Sequence, residues 1–226
     1  MKGKVYLVGA GPGDYKLLTL KGLECIKNSD VIVYDRLANE NYLKEANENC
    51  EFIYVGKKSS NHTLPQEDIN KVISDKAKEG KIVTRLKGGD PYVFGRGGEE
   101  GEILKKEGIE FEVVPGITSA IGGLCYAGIP ITHRDYASSF HVITGHLRDD
   151  DKQNPEINWN ALANINGTLV FLMGIANLKK ISTNLIKEGK PKDTPVALIN
   201  WATRYNQKVI TSTLENVYEK SLVENI

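Results

Sequence analysis

The stretch LKGGDPYVFGRGGEE, residues 86–100, concentrates side chains that can bind a ligand. It follows the apolar run KIVTRL, and open α/β sheets bind ligands beyond the carboxyl ends of their strands. Gly88 and Gly89 would let a ligand approach the backbone closely. Asp90 can accept hydrogen bonds from a diol or an ammonium group, and Arg96 can hold a carboxylate in its guanidinium fork. A glycine-rich loop without a ligand is the alternative, but so many special residues together favour a binding loop.

The segment GAGPGD, residues 9–14, follows the apolar run VYLV and resembles a nucleotide-binding turn. It matches only the first two glycines of the dinucleotide fingerprint, since Asp14 occupies the last position. Pro12 has no N–H to offer a phosphate. The polar start of the next segment also delays the following helix, so a pyrophosphate would lack a nearby helix N-terminus. Taken alone, the segment is a weak dinucleotide signal, and a turn without a ligand role is an equally good interpretation.

Two further segments carry candidate binding residues. PGITSA supplies Thr118 and Ser119 at a predicted helix start, where hydroxyl groups either cap the helix or hold a ligand carboxylate. IPITHRD supplies His133 and Arg134 after an apolar turn, and a lone histidine is more often structural than catalytic. The sequence has no Cys and His spacing typical of a metal site, no nucleophile elbow and no P-loop. Its chemistry must therefore depend on acids, bases and binding.

Short apolar runs alternate with helical patterns along the chain, which predicts an α/β fold. Most of these runs are continuously apolar, as in a parallel sheet covered on both faces. Between them, Ile69, Val72, Ile73 and Ala77 recur on one face of a predicted helix. The predicted strands are VYLVGA, VIVYD, EFIYVG, KIVTRL and FEVVP, then FHVITG, TLVFLMG, TPVALIN and QKVITSTL.

The chain changes character at VVPGITSA, where a proline and a glycine precede a helix of small residues. We therefore predict two α/β domains, residues 1–114 and 115–226, the second partly antiparallel. A cleft between two such domains is a usual place for a small ligand.

Composition restricts the possible partners. The 226 residues include 29 basic and 29 acidic side chains, which argues against a broad nucleic-acid surface. No apolar run reaches membrane-spanning length, and the N-terminus has no signal-peptide pattern. The three cysteines are far apart in the sequence and suit buried thiols in a reducing compartment. We expect a cytoplasmic protein that binds neither nucleic acid nor membrane.

Taken in order, seven blocks of the sequence resemble the tetrapyrrole methylases, most closely the members that methylate uroporphyrinogen III. The blocks are VGAGPGD, VIVYDRL, VGK, LKGGDPYVFGRGGEE, VVPGITSA, AGIPITHR and TLVFLMG. The resemblance covers essentially the whole chain. It implies two α/β domains with the cofactor in the cleft between them, usually in a homodimer. It also implies S-adenosyl-L-methionine as methyl donor, S-adenosyl-L-homocysteine as its product, and no metal.

The resemblance also implies roles for individual residues. Asp35 of YDRL matches the family's proton acceptor, and Lys57 of VGKK its proton donor. Arg36, Arg96 and Arg134 match basic residues that face the carboxylate arms of the substrate. The implied cofactor contacts are Pro12, Gly88, Gly89, Asp90, Val93, Thr118, Ser119, Met173 and Ala202.

The chain departs from the family pattern at two places. Ala202 stands where the family usually has glycine, and the helix after PGITSA reads IGGLCYAG where alanines and a proline are commoner. If the backbone at Ala202 touches the cofactor, its methyl group must be accommodated there.

The expected activity is two successive C-methylations of uroporphyrinogen III to precorrin-2, for sirohaem or cobalamin synthesis. Methylation of a pyrrole carbon leaves a cationic ring system that must lose a proton, and a carboxylate at a strand end suits that task. The alternatives are a methylase of a later precorrin in cobalamin synthesis, an RNA or protein methyltransferase of the same fold, and a non-catalytic S-adenosylmethionine sensor.

Overall fold

The computed structural model describes residues 3–56, 64–146 and 157–226. By its internal contacts the chain divides into two compact units, Met1–Gly122 and Gly123–Ile226. The predicted boundary at 114 and 115 lies slightly before this division and stays a prediction.

The first unit is built on a parallel five-stranded sheet. β4 lies at its centre, between β2 and β1, and the full strand order is β3-β2-β4-β1-β5. All neighbouring strands are parallel, so their carboxyl ends, and the loops that follow them, share one edge of the sheet. The strands are β1 (Lys4–Gly9), β2 (Val31–Tyr34), β3 (Glu51–Tyr54), β4 (Ile82–Lys87) and β5 (Glu110–Val114).

Helices cover both faces of this sheet, as the continuously apolar strands require. One buried cluster joins Val5, Leu7 and Val83 to helix α2, and a second joins Val8 and Ile32 to helix α1. In α2, the predicted face is confirmed, since Ile69, Ile73 and Ala77 are buried and Val72 packs beside them. The helices are α1 (Leu20–Lys27), α2 (Gln66–Lys78) and α3 (Gly97–Lys106), with 3-10 turns at Tyr15–Leu17 and Glu40–Glu45.

Helix α4 (Ser119–Tyr126) follows β5 and spans the division between the units. The second unit contains a parallel pair, β6 with β7, and an antiparallel pair, β8 with β9. This confirms the α/β prediction for the chain and its partly antiparallel second half. The elements are β6 (Phe140–Thr144), α5 (Trp159–Ala163), β7 (Thr168–Leu172), α6 (Leu178–Lys187), β8 (Pro195–Asn200), β9 (Lys208–Thr213) and α7 (Val217–Val223), with a 3-10 turn at Ile175–Asn177.

The second unit has its own core. Leu178, Ile181 and Leu185 recur along one face of α6 and are buried there, as their spacing predicts. They contribute to two adjoining apolar clusters that include strand residues Leu198 and Ile210. Within the described parts of the chain, no helix has the length and hydropathy needed to cross a membrane.

Candidate active site

Three glycines at the carboxyl edge of the first sheet bring three loops into backbone contact. They are Gly9 at the end of β1, Gly89 after β4 and Gly116 after β5. A Cβ atom on Gly116 would lie 2.2 Å from the Gly89 carbonyl oxygen and 2.7 Å from the Gly9 Cα. Gly11 and Gly89 also exchange backbone hydrogen bonds of 3.1 and 2.7 Å. No side chain fits between these loops, so their geometry is fixed by main-chain contacts.

Asp90 ties the loop after β4 to the loop after β5. Its Oδ2 accepts a hydrogen bond from Gly116 N at 3.0 Å, and its Oδ1 accepts one from Tyr92 N at 2.8 Å. Each oxygen keeps a further lone pair for a ligand, because an ionised carboxylate offers about four acceptor sites. Asp90 therefore organises the loop and is still able to accept from a ligand.

The two glycines before Asp90 differ in their surroundings. A Cβ on Gly88 would lie 2.5 Å from the Leu37 Cβ, so this glycine makes room for the segment after β2. Gly89 has a φ of 69°, and among the described residues the only atom within 4 Å of its added Cβ is the Thr118 Cα at 3.8 Å. Gly89, more than Gly88, therefore offers the open backbone that was expected for both.

The loop after β1 is held by side chains from the segment after β2. The buried Tyr42 hydroxyl lies 3.0 Å from the Ala10 carbonyl oxygen and 3.3 Å from that of Asp14, and it donates to this pair. Burial raises the pKa of Tyr42 to about 12. Pro12, the rigid residue of this loop, lies beside Gly122 of α4, whose added Cβ would sit 3.0 Å from the Pro12 Cγ. The Pro12 ring is therefore fixed against the start of α4.

Asp35 directly follows β2, and both of its carboxylate oxygens are engaged. Oδ2 accepts from Arg85 Nη2 at 2.8 Å, and Oδ1 accepts from Leu37 N at 2.9 Å. Arg85 lies on β4, the neighbouring strand, and is 4% exposed. Arg36, the basic residue next to Asp35 in sequence, is exposed to solvent.

Arg85 belongs to a buried charge cluster that the sequence prediction omitted. Glu100 of α3 accepts at Oε1 from Arg85 Nε at 3.2 Å, Lys87 Nζ at 2.8 Å and Gln66 Nε2 at 3.2 Å. Burial, and then the charge of Arg85, lower the pKa of Lys87. The sequence does carry a signal for this cluster, because KIVTRLK places two cations at alternate positions of a central apolar strand.

Arg96 has a guanidinium fork, but a neighbouring side chain occupies it. Nε donates to Glu99 Oε1 at 2.9 Å and Nη2 donates to Glu99 Oε2 at 2.6 Å. This exposed pair lowers the pKa of Glu99. Arg96 precedes α3 with a φ of 58°, and Phe94 nearby has a φ of 52°. Val93 lies half-buried in the same loop. A substrate carboxylate at Arg96 would compete with Glu99.

Thr118 and Ser119 lie where the sequence predicts a helix start. Ser119 is the first residue of α4. Thr118 Oγ1 accepts from Ala120 N at 3.3 Å, and its carbonyl oxygen accepts from Gly122 N at 2.9 Å. The hydroxyl thus caps the helix in this structure, which leaves its own O–H as a donor.

Two candidate residues of the second unit, Met173 and Ala202, lie on or beside strained backbone. Met173 follows β7 with a φ of 59° and is 58% exposed. Ala202 follows β8 between Trp201 at 49° and Thr203 at 64°. Such left-handed conformations in residues other than glycine cost roughly 1–3 kcal/mol each and cluster at functional sites.

Arg134 is exposed, in a turn closed by backbone hydrogen bonds between His133 and Ala137. Lys57, the predicted proton donor, lies outside the described residues. The first unit therefore brings Asp35 and the Gly89 loop to one sheet edge, while Met173, Ala202 and Arg134 belong to the second unit.

Comparison with known proteins identifies the family. The model of the tetrapyrrole (corrin/porphyrin) methylases matches residues 4–218. The chain belongs to this family.

Its similarity to individual tetrapyrrole methylases extends over nearly the full length. The chain is 53% identical to the uroporphyrinogen-III C-methyltransferase of Priestia megaterium, across 96% of this chain and 90% of that protein. The uroporphyrin-III C-methyl transferase of Thermus thermophilus, solved with S-adenyl homocysteine, has 37% identity and a TM-score of 0.81, across 96% of this chain and 86% of that one. A cobalt precorrin-4 methyltransferase has 28% identity and a TM-score of 0.85, across 99% and 90%.

Proposed function

We propose that this chain transfers two methyl groups from S-adenosyl-L-methionine to carbon atoms of uroporphyrinogen III, giving precorrin-2. The observation that carries the proposal is the 53% identity to the Priestia enzyme over 96% of the chain. The cobalt precorrin-4 enzyme has a TM-score of 0.85, against 0.81 for the Thermus enzyme, but at 28% identity it supports the fold more than the substrate.

The first unit suits a cofactor that lacks phosphate. Helix α1 begins at Leu20, well beyond the end of β1 at Gly9, and only a short 3-10 turn, capped by Asp14, follows the loop directly, so the loop lacks the α-helix N-terminus that binds a pyrophosphate. The backbone at Gly89 is open, and Asp90 has acceptor capacity for a diol or an amine. The residues proposed to hold S-adenosyl-L-methionine are Pro12, Gly88, Gly89, Asp90, Val93, Thr118 and Ser119, with Met173 and Ala202 from the second unit.

When bound, S-adenosyl-L-methionine supplies an electrophilic sulfonium methyl group and needs no metal. The protein must hold an electron-rich pyrrole carbon near that methyl and then remove a proton from the methylated macrocycle. We assign the proton removal to Asp35, whose fixed carboxylate is a positioned general base at the edge of the sheet. Lys57 is the proposed proton donor.

The substrate carries many carboxylate groups, and three arginines are proposed to bind them. Arg36 and Arg134 are exposed, which makes their guanidinium groups accessible to an anion. Arg96 would exchange its internal partner Glu99 for a substrate carboxylate. Arginine suits this task because its planar fork matches carboxylate geometry.

The setting of the enzyme completes the proposal. We propose a cytoplasmic homodimer that acts on a small tetrapyrrole and binds neither nucleic acid nor membrane. The chain has 29 basic and 29 acidic residues, and this balance argues against a broad basic surface that would bind a nucleic acid. Sedimentation equilibrium measures the oligomeric state, and a monomer at assay concentration would contradict the dimer.

The test of the activity is label transfer. The protein is incubated anaerobically with uroporphyrinogen III and methyl-labelled S-adenosyl-L-methionine, and the macrocycle is examined by mass and absorbance. Two labels per macrocycle and the precorrin-2 chromophore are expected. A parallel reaction contains cobalt-precorrin-4 instead. Label in cobalt-precorrin-4 alone would show that this chain methylates a later intermediate and not uroporphyrinogen III. No label in either macrocycle would reject the proposal.

A further inference from the structure

Four charged side chains form a continuous chain from the surface of the proposed site into the interior of the first unit. Asp35 is the outermost, with its side chain 23% exposed. Arg85, Lys87 and Glu100 follow it, and none of these three side chains is more than 5% exposed. The proposed reaction uses only Asp35, so the three buried charges need a separate explanation.

The geometry at Arg85 connects Glu100 to Asp35. Arg85 Nε donates to Glu100 Oε1 at 3.2 Å, Nη1 donates to the Leu86 carbonyl oxygen at 3.0 Å, and Nη2 donates to Asp35 Oδ2 at 2.8 Å. Because a guanidinium is rigid and planar, two of these contacts fix the direction of the third. Glu100 therefore helps to aim Nη2 at the Asp35 carboxylate.

The charges of the cluster balance only when Glu100 is ionised. Arg85 and Lys87 are both buried on β4, and Glu100 Oε1 accepts from both. Removing the Glu100 charge would leave two buried cations opposed by Asp35 alone, and an uncompensated buried charge is strongly unfavourable. Glu100 Oε2 is buried and has no hydrogen-bond partner among the described residues. The Glu100 carboxylate is therefore held mainly by its contacts with Arg85 and Lys87 at one oxygen, while its other oxygen stays without a hydrogen bond from the described residues.

We propose that Glu100 is a positioning residue for the methyl-transfer reaction. Through Arg85 it fixes the orientation of the Asp35 carboxylate, which accepts the proton from the methylated macrocycle. This inference rests on the proposed function of Asp35. Glu100 itself is too deeply buried to meet a substrate, so it acts entirely through its neighbours.

The test compares Glu100→Gln with a charge-balanced variant and a matched control. Glu100→Gln changes the net charge of the four side chains from zero to +1, and adding Lys87→Met returns it to zero. Glu102→Gln makes the same chemical change on the exposed face of the same helix. We measure kcat and KM for uroporphyrinogen III, S-adenosylhomocysteine affinity by calorimetry, and the melting temperature.

If Glu100 positions Asp35, Glu100→Gln lowers kcat by about 10- to 100-fold, because small misplacements of a catalytic group have effects of that size. KM and the affinity for S-adenosylhomocysteine stay near their wild-type values. The double variant recovers the melting temperature but not kcat, and Glu102→Gln behaves like the wild type. If Glu100→Gln does not fold, the kcat of the double variant alone decides between a positioning role and a purely structural role for Glu100.

Two results would overturn the proposal. One is a wild-type kcat in Glu100→Gln, and the other is a kcat that returns with stability in the double variant, which would mean a purely structural role. A crystal structure of the folded variant gives a readout without turnover, since the Arg85 Nη2 to Asp35 Oδ2 contact should be lost. Absence of turnover in the wild type would reject the proposed function. Wild-type turnover that persists in Asp35→Asn would reject the role of Asp35 and this inference with it.

Discussion

The loops that carry candidate residues are built differently in the two units. In the first unit, Gly9 and Gly116 have no space for a Cβ atom, because main chain lies directly against main chain there, and the Gly89 carbonyl group takes part in that contact. In the second unit, Met173 and Trp201 occupy left-handed conformations and leave much of their side chains exposed. Left-handed conformations occur in both units, at Arg96 as well as at Met173, so the difference lies in the main-chain contacts and the fixed carboxylate that the first unit adds.

This difference suggests a division of labour. Proton removal and orientation need groups held in place, which backbone contacts and buried charges provide. Contact with an exchangeable cofactor needs accessible apolar surface, which an exposed methionine provides. Two methyl transfers on one substrate require the spent cofactor to leave between them, and side chains at an exposed loop suit that exchange.

The largest expected effect tests this division directly. Asp35→Asn keeps the shape of the side chain but removes the base, so turnover should fall by about 100- to 10,000-fold. S-adenosylhomocysteine affinity should stay near the wild-type value. Met173→Ala, in the second unit, should instead weaken the affinity for S-adenosylhomocysteine and leave single-turnover rates at saturating cofactor largely intact. Near-normal turnover in Asp35→Asn would remove Asp35 from its proposed role.

A substitution at Gly116 tests the backbone contact. The Cβ of Gly116→Ala would lie 2.2 Å from the Gly89 carbonyl oxygen, and main chain cannot easily give way. We expect a loss of about 3 kcal/mol in the free energy of unfolding, at the upper end of overpacking effects. Gly98→Ala on α3 is the control, because its Cβ would meet no atom of the described part of the chain within 4 Å. Urea unfolding measures both, and equal stabilities would show that the loops are not tightly joined.

Tyr42 gives the first unit a pH dependence. Burial raises its pKa from 10.0 to about 12, so folding favours the neutral phenol. That stabilisation is present below pH 10 and is lost as the pH rises through about 12. Two pKa units correspond to at most about 2.7 kcal/mol. Tyr42→Phe should be less stable at neutral pH by about 1 kcal/mol, since it loses its hydrogen bond.

The stability of Tyr42→Phe should also decline less steeply than that of the wild type between pH 10 and pH 12. Urea unfolding at a series of pH values measures the two slopes. Parallel curves would mean that the Tyr42 hydroxyl is not buried as the structure indicates.

Two substitutions of Arg96 in the first unit test backbone strain through stability and substrate binding through KM. Its φ of 58° suits glycine, so Arg96→Gly should be more stable than Arg96→Ala by about 1 kcal/mol. Both variants lose the ion pair with Glu99, so their difference reports the backbone preference at this position, in the folded and the unfolded chain, and not the lost contact. Both should raise KM for the polyanionic substrate to a similar extent. Equal stabilities would show that the left-handed conformation at Arg96 is not strained.

Much of this organisation could be predicted from the sequence. The nine predicted apolar runs correspond to the nine strands of the described residues, because buried strands need continuous Val, Ile and Leu. Parallel strands then bring Asp35 and the Gly89 loop to the same sheet edge without any knowledge of side-chain contacts.

Side-chain pairing could not be predicted in the same way. Asp35 binds Arg85 because β2 and β4 are neighbours in the sheet, although β3 lies between them in sequence. The fork of Arg96 is occupied by Glu99, a neighbour on the next helical turn, where a substrate carboxylate was expected. Both facts depend on strand order and backbone conformation, and hydrophobic periodicity reports neither.

The smallest effect concerns the two departures from the family pattern, which meet in the second unit. A Cβ on Gly123 of α4 would lie 3.0 Å from the Ala202 Cβ, a contact closer than ordinary packing. Replacing glycine by alanine within a helix usually raises the free energy of unfolding by about 1 kcal/mol, and Gly123→Ala should show little of this increase.

Ala202→Gly removes the opposing methyl group and should restore that gain. Urea unfolding of the four proteins in this cycle should give a coupling of about 0.5 kcal/mol between the two positions. Zero coupling would show that strained backbone in this unit absorbs an added methyl group. That result would sharpen the contrast with Gly116, where an added methyl group meets main chain and has nowhere to go.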